Sequence, residues 1–442
     1  MSHLALAAAL QVALAAAAQS PRPEPPRYSL AAWSERAWNR MADRGGGIFG
    51  RLAEEGILQR YHPLQDHEYR LDELTAGFAL ADEGAWLRTE NGFRAWGGSI
   101  SNRNFVNRAE ARFSIPVAHR VRSGLRLWQE ESLEAERQRV LFTLGVDSLV
   151  GGWTGWFGIT LEFMKPDADL EWGLRRRLGE RLDLSFAFAV LDAFNDFIFV
   201  KLRVDSAETD VFREYRRQPL AVRFAADWRP AARWRLEAVG GGSNRARLEG
   251  DIVADDRAGF DQAERVRYVG LLGEWTPRGD LAVGAFARRI EAESRREYAA
   301  ADSVSDFDLL EATAAAGAYA LFRPSADWDL EGAVLHTHRR ERRRGADARD
   351  GRDREWTAWA SGSRRLTRWL FLSLGYFYDD RAPSADVPFA DALAATNQRL
   401  RTDLVVRFPS GARLGAGVNW DLDSPTDPRF FDGAHGRLVV PF

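Results

Sequence analysis

Residues 220–228 read LAVRFAADW. In an extended chain successive side chains point to opposite sides. Val222, Phe224, Ala226 and Trp228 therefore share one face, and Arg223, Ala225 and Asp227 the other. The pattern recurs on both sides of this stretch. Over 233–238, Trp234, Leu236 and Ala238 oppose Arg233, Arg235 and Glu237. Over 412–422, Leu414, Ala416, Val418, Trp420 and Leu422 oppose Arg413, Gly415, Gly417, Asn419 and Asp421. Such alternation predicts strands with one apolar and one polar face, and it runs from about residue 92 to the end of the chain.

The turns between these stretches come at two lengths. Short ones read RPAAR (229–233), TPRGD (276–280), RPSAD (323–327), RRLTR (364–368) and PSGAR (409–413). Pro230, Pro277 and Pro324 are 47 residues apart each time. Longer polar connections lie between them, at 205–211, 255–264, 338–354, 379–398 and 423–434. Short and long turns in alternation between antiparallel strands make an up-and-down meander.

A soluble sandwich also alternates its faces, but three features point to lipid instead. The strands are long, with β pattern almost unbroken over 182–204. The apolar face is uniformly apolar, while the other carries arginines, acids, glycines and alanines. Trp228, Trp234, Trp275, Trp328 and Trp369 sit beside short turns, where an aromatic girdle would lie at a membrane surface. In lipid a sheet has to close on itself, because an open edge leaves backbone groups unpaired.

Composition narrows the class. The chain has 442 residues, 45% hydrophobic and 28% charged, with a formal net charge of −3. That near-neutral balance argues against nucleic acid as a partner. There is no cysteine, which excludes disulfides, thiolate metal sites and cysteine catalysis. The basic residues are arginine except for Lys165 and Lys201. Leu4 to Ala18 is an apolar run ending in Ala16-Ala17-Ala18, which predicts a signal peptide over 1–18 and export. Beyond it no run of about 18 apolar residues could span a membrane as a helix. Residues 19–27 form a proline-rich spacer, and Leu30, Trp33, Ala37 and Met41 recur at helical spacing until Gly45-Gly46-Gly47. The expected organisation is signal peptide (1–18), spacer (19–27), a helical or irregular segment serving as a plug or periplasmic piece (28–91), and the barrel (92–442).

Export signal, absent cysteine, alternating turn lengths and a terminal aromatic together resemble the outer-membrane β-barrels of Gram-negative bacteria. The resemblance covers roughly residues 92–442 and is specific to the class rather than to one family within it. It implies a transmembrane antiparallel up-and-down barrel in the outer membrane, of about 18 strands, with 16 as the alternative, preceded by a short helical segment. It also implies an assembly signal in the last strand, read by the barrel assembly machinery and matched here by Leu438, Val440 and Phe442. Arg437 and Pro441 depart from the pattern of that signal. Expected partners are outer-membrane lipid and lipopolysaccharide, the assembly machinery, and a periplasmic partner reached through residues 28–61.

If the apolar face meets lipid, the other face lines a lumen. Lys201, Arg203, Arg223, Arg235, Glu237, Asp329, Glu331, Arg413 and Asp421 are then wall residues. Mixed charge there suits either a constriction that selects polar solutes or a network of cross-strand ion pairs in a closed barrel. The functional expectation is a porin-like passive channel; the alternatives are an export or assembly barrel and a closed scaffold. The arginine run 338–354 reads as a solvated loop with Asp347, Asp350 and Asp353 as counter-charges. His336 and His338 share a strand face, but Arg339 and Arg340 beside them repel a cation, so no metal or cofactor is expected. The histidines form no recognisable acid–base–nucleophile set, and the expectation is a non-enzyme.

Overall fold

The computed structural model describes residues 30 and 34 and, with breaks at most of the longer connections, the chain from 68 to 441. Alternation resolves into strands throughout that span. They are β1 (Glu68–Leu80), β2 (Glu83–Ala95), β3 (Arg103–Ala118), β4 (Val121–Ser132), β5 (Glu136–Val146), β6 (Trp153–Glu162), β7 (Ala168–Leu178) and β8 (Leu182–Val190). Next come β9 (Phe197–Val204), β10 (Ala207–Arg217), β11 (Leu220–Ala231), β12 (Trp234–Ser243), β13 (Ala246–Ile252), β14 (Ala258–Arg278) and β15 (Leu281–Ala299). The last are β16 (Phe307–Ser325), β17 (Trp328–Gly345), β18 (Arg349–Arg365), β19 (Leu370–Pro383), β20 (Ala395–Arg407), β21 (Arg413–Asp421) and β22 (Phe431–Pro441). All belong to one sheet, an antiparallel meander whose first and last strands, β1 and β22, also pair with each other in parallel.

Three rows of the sheet are built from two segments each. β8 and β9 face β11 and β10 respectively, and β11 and β10 face β12 and β13. The interruption falls at Pro219, which has no N–H to give the ladder. The Asn244 side chain bridges the gap: Oδ1 accepts from Leu220 N–H at 2.9 Å and Nδ2 donates to the Gln218 carbonyl at 3.0 Å. The 47-residue repeat has a related cause. Pairing skips between Trp228 and Ala231, between Trp275 and Arg278, and between Phe322 and Ser325. Each skip contains one of the repeated prolines, Pro230, Pro277 or Pro324, so the missing donor lies just before the turn, where the ladder ends in any case.

The β pattern expected from about residue 92 onward is carried by observed strands, β2 to β22. One difference lies within expected pattern: the stretch 182–204, expected to be almost unbroken, is divided into β8 (Leu182–Val190) and β9 (Phe197–Val204); the others lie where a strand was expected to have stopped or not yet begun. β1 and β2 occupy part of the segment expected to be helical or irregular, so the sheet begins at Glu68 and not near 92. β10 (Ala207–Arg217) takes up most of the expected connection 205–211. The arginine run is not a loop: β17 continues to Gly345 and β18 starts at Arg349. Phe442, the signal peptide, the spacer, and Trp33, Ala37 and Met41 lie outside the described residues. Leu438 and Val440 lie in β22, opposite Leu74 and Ala76 of β1. Among the described residues no helix is long and apolar enough to cross a membrane.

The surface is inverted relative to a water-soluble protein. Large apolar side chains stand out of the sheet on one face, among them Phe186, Phe224, Val269, Leu271 (59% exposed), Leu374 and Leu404. The expected girdle residues Trp228, Trp234, Trp275 and Trp328 are on this face and exposed, and Trp369, also exposed, lies in the short turn just before β19. Trp234 and Trp275 stack with ring centroids 6.1 Å apart, and the Arg364 guanidinium lies 5.2 Å from the Trp328 ring. A second aromatic level follows at the other end, with Trp356, Tyr376 and the His336–Trp356 ring pair at 4.5 Å. Along β17 the two levels, Trp328 and His336, are eight residues apart. That is ~27 Å of strand, or about 20 Å of height at a ~40° tilt, close to the apolar band of membrane barrels.

Candidate functional site

The opposite face is buried, and it is where the charges went. In β12, Arg235, Glu237 and Val239 are buried while Trp234 and Leu236 are exposed. Arg235 donates to Asp227 at 3.0 Å and to Glu237 at 2.8 Å. Glu274 stands opposite Arg235 on β14 and accepts from the Tyr319 hydroxyl at 2.7 Å. Arg223 reaches across β8 to Glu171 at 2.5 Å. Glu331 accepts from Ser361 at 2.9 Å, and Asp329 faces Arg323 at 3.5 Å. A buried charge needs a partner at hydrogen-bonding distance, and the wall supplies these partners within and across strands.

Of the nine expected wall residues, Arg235, Glu237 and Glu331 are buried on this face, and Arg223 and Asp329 are half-buried there. The side chains of Lys201, Arg203, Arg413 and Asp421 lie outside the described ones, although their backbones run in β9 and β21.

The wall also carries something the alternation did not foretell. Tyr268, Leu272, Phe286, Ile290, Tyr319 and Trp359 are buried on the inner face in one apolar cluster. Several lie flat over glycines of neighbouring strands, where no side chain could coexist with them. A Cβ on Gly284 would sit 2.3 Å from Tyr319 Cζ, one on Gly241 2.7 Å from Tyr268 Cζ, and one on Gly317 2.8 Å from Phe286 Cζ. The signal was present as the run 266–275, VRYVGLLGEW. Both faces of that run are apolar at mid-strand, as expected where each face meets an apolar neighbour.

Two residues ahead of the sheet, Leu30 and Ser34, meet the inner face. Leu30 is fully buried within the same cluster as Val239 and Tyr268. One turn on, Ser34 N–H donates to the Leu30 carbonyl at 2.8 Å, and its hydroxyl donates to Tyr268 Oη at 3.2 Å. Thus the Leu30–Ser34 turn rests on the aromatic part of the wall.

An antiparallel meander with an apolar, girdled exterior and paired charges inside defines a β-barrel of the outer-membrane class. No protein family and no curated protein sequence matches the chain. Among solved structures it is similar to a loop-deleted form of OmpT, an outer membrane protein of Vibrio cholerae. There the identity is 11% and the TM-score 0.34, over 80% of this chain and 98% of that one. It is also similar to the ferric citrate transporter FecA in its unliganded form, at 8% identity and TM-score 0.41, covering 80% of this chain and 60% of that one. A bacterial polysaccharide outer membrane secretin aligns at 10% identity and TM-score 0.33, over 73% and 98% of the two chains.

Proposed function

We propose that the chain is an outer-membrane barrel that passes small polar solutes through a mixed-charge lumen, and that its N-terminal segment is the plug of that lumen. The observation that carries this reading is the Leu30–Ser34 turn seated on the inner wall, with Leu30 fully buried. The parallel β1–β22 pairing supports closure into a barrel, and in an up-and-down meander parallel first and last strands imply an odd number of rows. The charged layer of Arg235, Asp227, Glu237 and Glu274 lies nearer the short turns than the cluster around Leu30. A solute leaving past the plug would meet that layer.

The test compares the chain with a variant lacking residues 28–61 in planar bilayers, both refolded to a heat-modifiable form. The expected result is a small or intermittent conductance from the chain and a steady one from the deletion. Silence from both would favour the closed scaffold, a reading supported by the paired wall charges and the apolar cluster.

A further inference from the structure

The Leu30–Ser34 turn sits over a basin that the register of the inner wall lays out. One rung of the ladder crosses six strands: Trp156 on β6, Gly173 on β7, Ala187 on β8, Arg223 on β11, Gly241 on β12 and Tyr268 on β14. The rings at its two ends fold over the glycines beside them, toward Arg223. A Cβ on Gly173 would lie 2.1 Å from Trp156 Cε2, and one on Gly241 2.7 Å from Tyr268 Oη. On the next rung of the same face stand Gly158, Glu171, Ala189, Ala221 and Ser243. Between the two rings, only Arg223 and Glu171 on these rungs are larger than serine.

Arg223 and Glu171 meet in that basin. The guanidinium donates to Glu171 Oε1 at 2.5 Å and lies 5.8 Å from the centre of the Trp156 ring. Glu171 is buried and Arg223 half-buried. Beside them the floor is aliphatic and covered. Ala189 and Ala221 are each 1% exposed, and both belong to the apolar cluster that holds Leu30, Val239 and Tyr268. Ser34 Oγ meets Tyr268 Oη at 3.2 Å, on the strand two rows from Arg223. The turn therefore brings an isobutyl group to the floor, next to an ion pair of zero net charge.

That combination selects for one kind of small molecule. An anion would gain Arg223 and be repelled by Glu171, and a cation the reverse. A molecule carrying both charges satisfies both groups, because it exchanges partners with the pair and leaves no charge unmatched. Trp156 adds a ring face that attracts an ammonium group, and the alanine floor takes a branched hydrocarbon chain. We propose that this basin is a binding site for a free aliphatic amino acid, with leucine the best fit. Arg223 takes the carboxylate, Glu171 takes the ammonium group, and the side chain takes the place of Leu30. Leu30 is then a tethered copy of the ligand, and the ligand competes with the docked turn. The inference rests on the reading of the inner face as a lumen that solutes reach.

The experiment is equilibrium dialysis of radiolabelled L-leucine against the full chain, refolded in a nonionic detergent to its heat-modifiable form. The competitors are 4-methylpentanoate, which lacks the ammonium group, 3-methylbutylamine, which lacks the carboxylate, and glycine, which lacks the side chain. Leucine is expected to bind, with each competitor about 10-fold weaker or more, the scale of one hydrogen bond to a charged group or of one buried aliphatic side chain. Leu30→Ala, which loosens the docked turn, should tighten leucine binding by up to about 100-fold. The double variant Glu171→Gln, Arg223→Gln keeps a neutral hydrogen-bonding pair and should weaken leucine about 10-fold or more. Arg278→Gln, exposed at the short-turn end, should change nothing. A competitor as tight as leucine, Leu30→Ala binding no tighter than the unaltered chain, or unchanged binding by the double variant would each overturn the site. The competitors need no substitution, so they decide the matter even where a variant fails to refold. Planar-bilayer recordings of the variant lacking residues 28–61 test the lumen reading separately. No current with leucine binding intact ends the channel and keeps the site, whereas a steady current with leucine no tighter than 4-methylpentanoate ends the site and keeps the channel.

Discussion

Leu30 gives the sharpest test of the plug. It is fully buried, and it packs in the cluster of Val239, Val266 and Tyr268. Truncating it to alanine in Leu30→Ala removes about 2–3 kcal/mol of contact, the usual scale for a buried leucine. None of that loss falls on the barrel ladder, because Leu30 pairs with no strand of it. It should therefore appear in the equilibrium between docked and undocked plug, as about a 30- to 150-fold shift. Tyr268→Phe removes the acceptor of the Ser34 hydroxyl and should shift the same equilibrium about fivefold, the scale of one neutral hydrogen bond. The assay is the open fraction in single-channel recordings at fixed voltage, with the deletion of 28–61 as the fully open reference. An open fraction for Leu30→Ala equal to that of the unaltered chain, alongside a steadily open deletion, would refute the claim that this contact holds the plug.

Two further outcomes are expected. Leu271→Arg, at an outer-face position already 59% exposed, should be nearly neutral if that face met water, but should cost about 2–4 kcal/mol of refolding free energy in lipid vesicles if it meets the bilayer core; wild-type refolding would defeat the lipid-facing assignment. Gly284→Ala would force the Tyr319 ring off its seat, since the new Cβ lies 2.3 Å from Cζ, and the unfolding midpoint should drop by the equivalent of about 1–3 kcal/mol; an unchanged midpoint would show that the ring yields freely.

How much of this was legible depended on where each strand runs. Residues 220–228 and 233–238 cross the apolar band with one face in lipid, so hydropathy alternates and the strand can be read directly. Past the band both faces meet polar surroundings, and alternation fades while backbone pairing continues. That is why β10 and the ends of β17 and β18 read as polar connections, although Arg340 and Arg352 are ladder partners. β1 was hidden for a second reason. Its pairing slips between Leu71 and Leu74 against β2 and between Leu71 and Glu73 against β22, and a bulge shifts the phase of a period-two signal partway along the strand.

The inner wall shows the other limit. Arg235 and Glu237 could be placed opposite Trp234 and Leu236 from parity alone, because parity is a property of one strand. Parity could not say what fills the space they face. Tyr268 and Phe286 are apolar, and so are Val269, Ala285 and Ala287 beside them on the outward face, so the sequence offered little contrast from which to assign them to the inside. Nor could spacing tell whether Leu30 lies in the lumen, in the periplasm or on a membrane, since that contact joins residues more than two hundred positions apart. The sequence by itself determined the class, the turns, the girdle and the two faces of the strands that cross the band, because each of these is written in residues that are neighbours in the chain. The tertiary structure alone decided the parallel seam between β1 and β22, the aromatic layer over the glycines, the turn at Leu30–Ser34 seated on that layer, and the facing of arginine on arginine at the outer rim. Each of these depends on which strand lies beside which, and in what register, and pairing across the sheet fixes that only once the whole meander has formed.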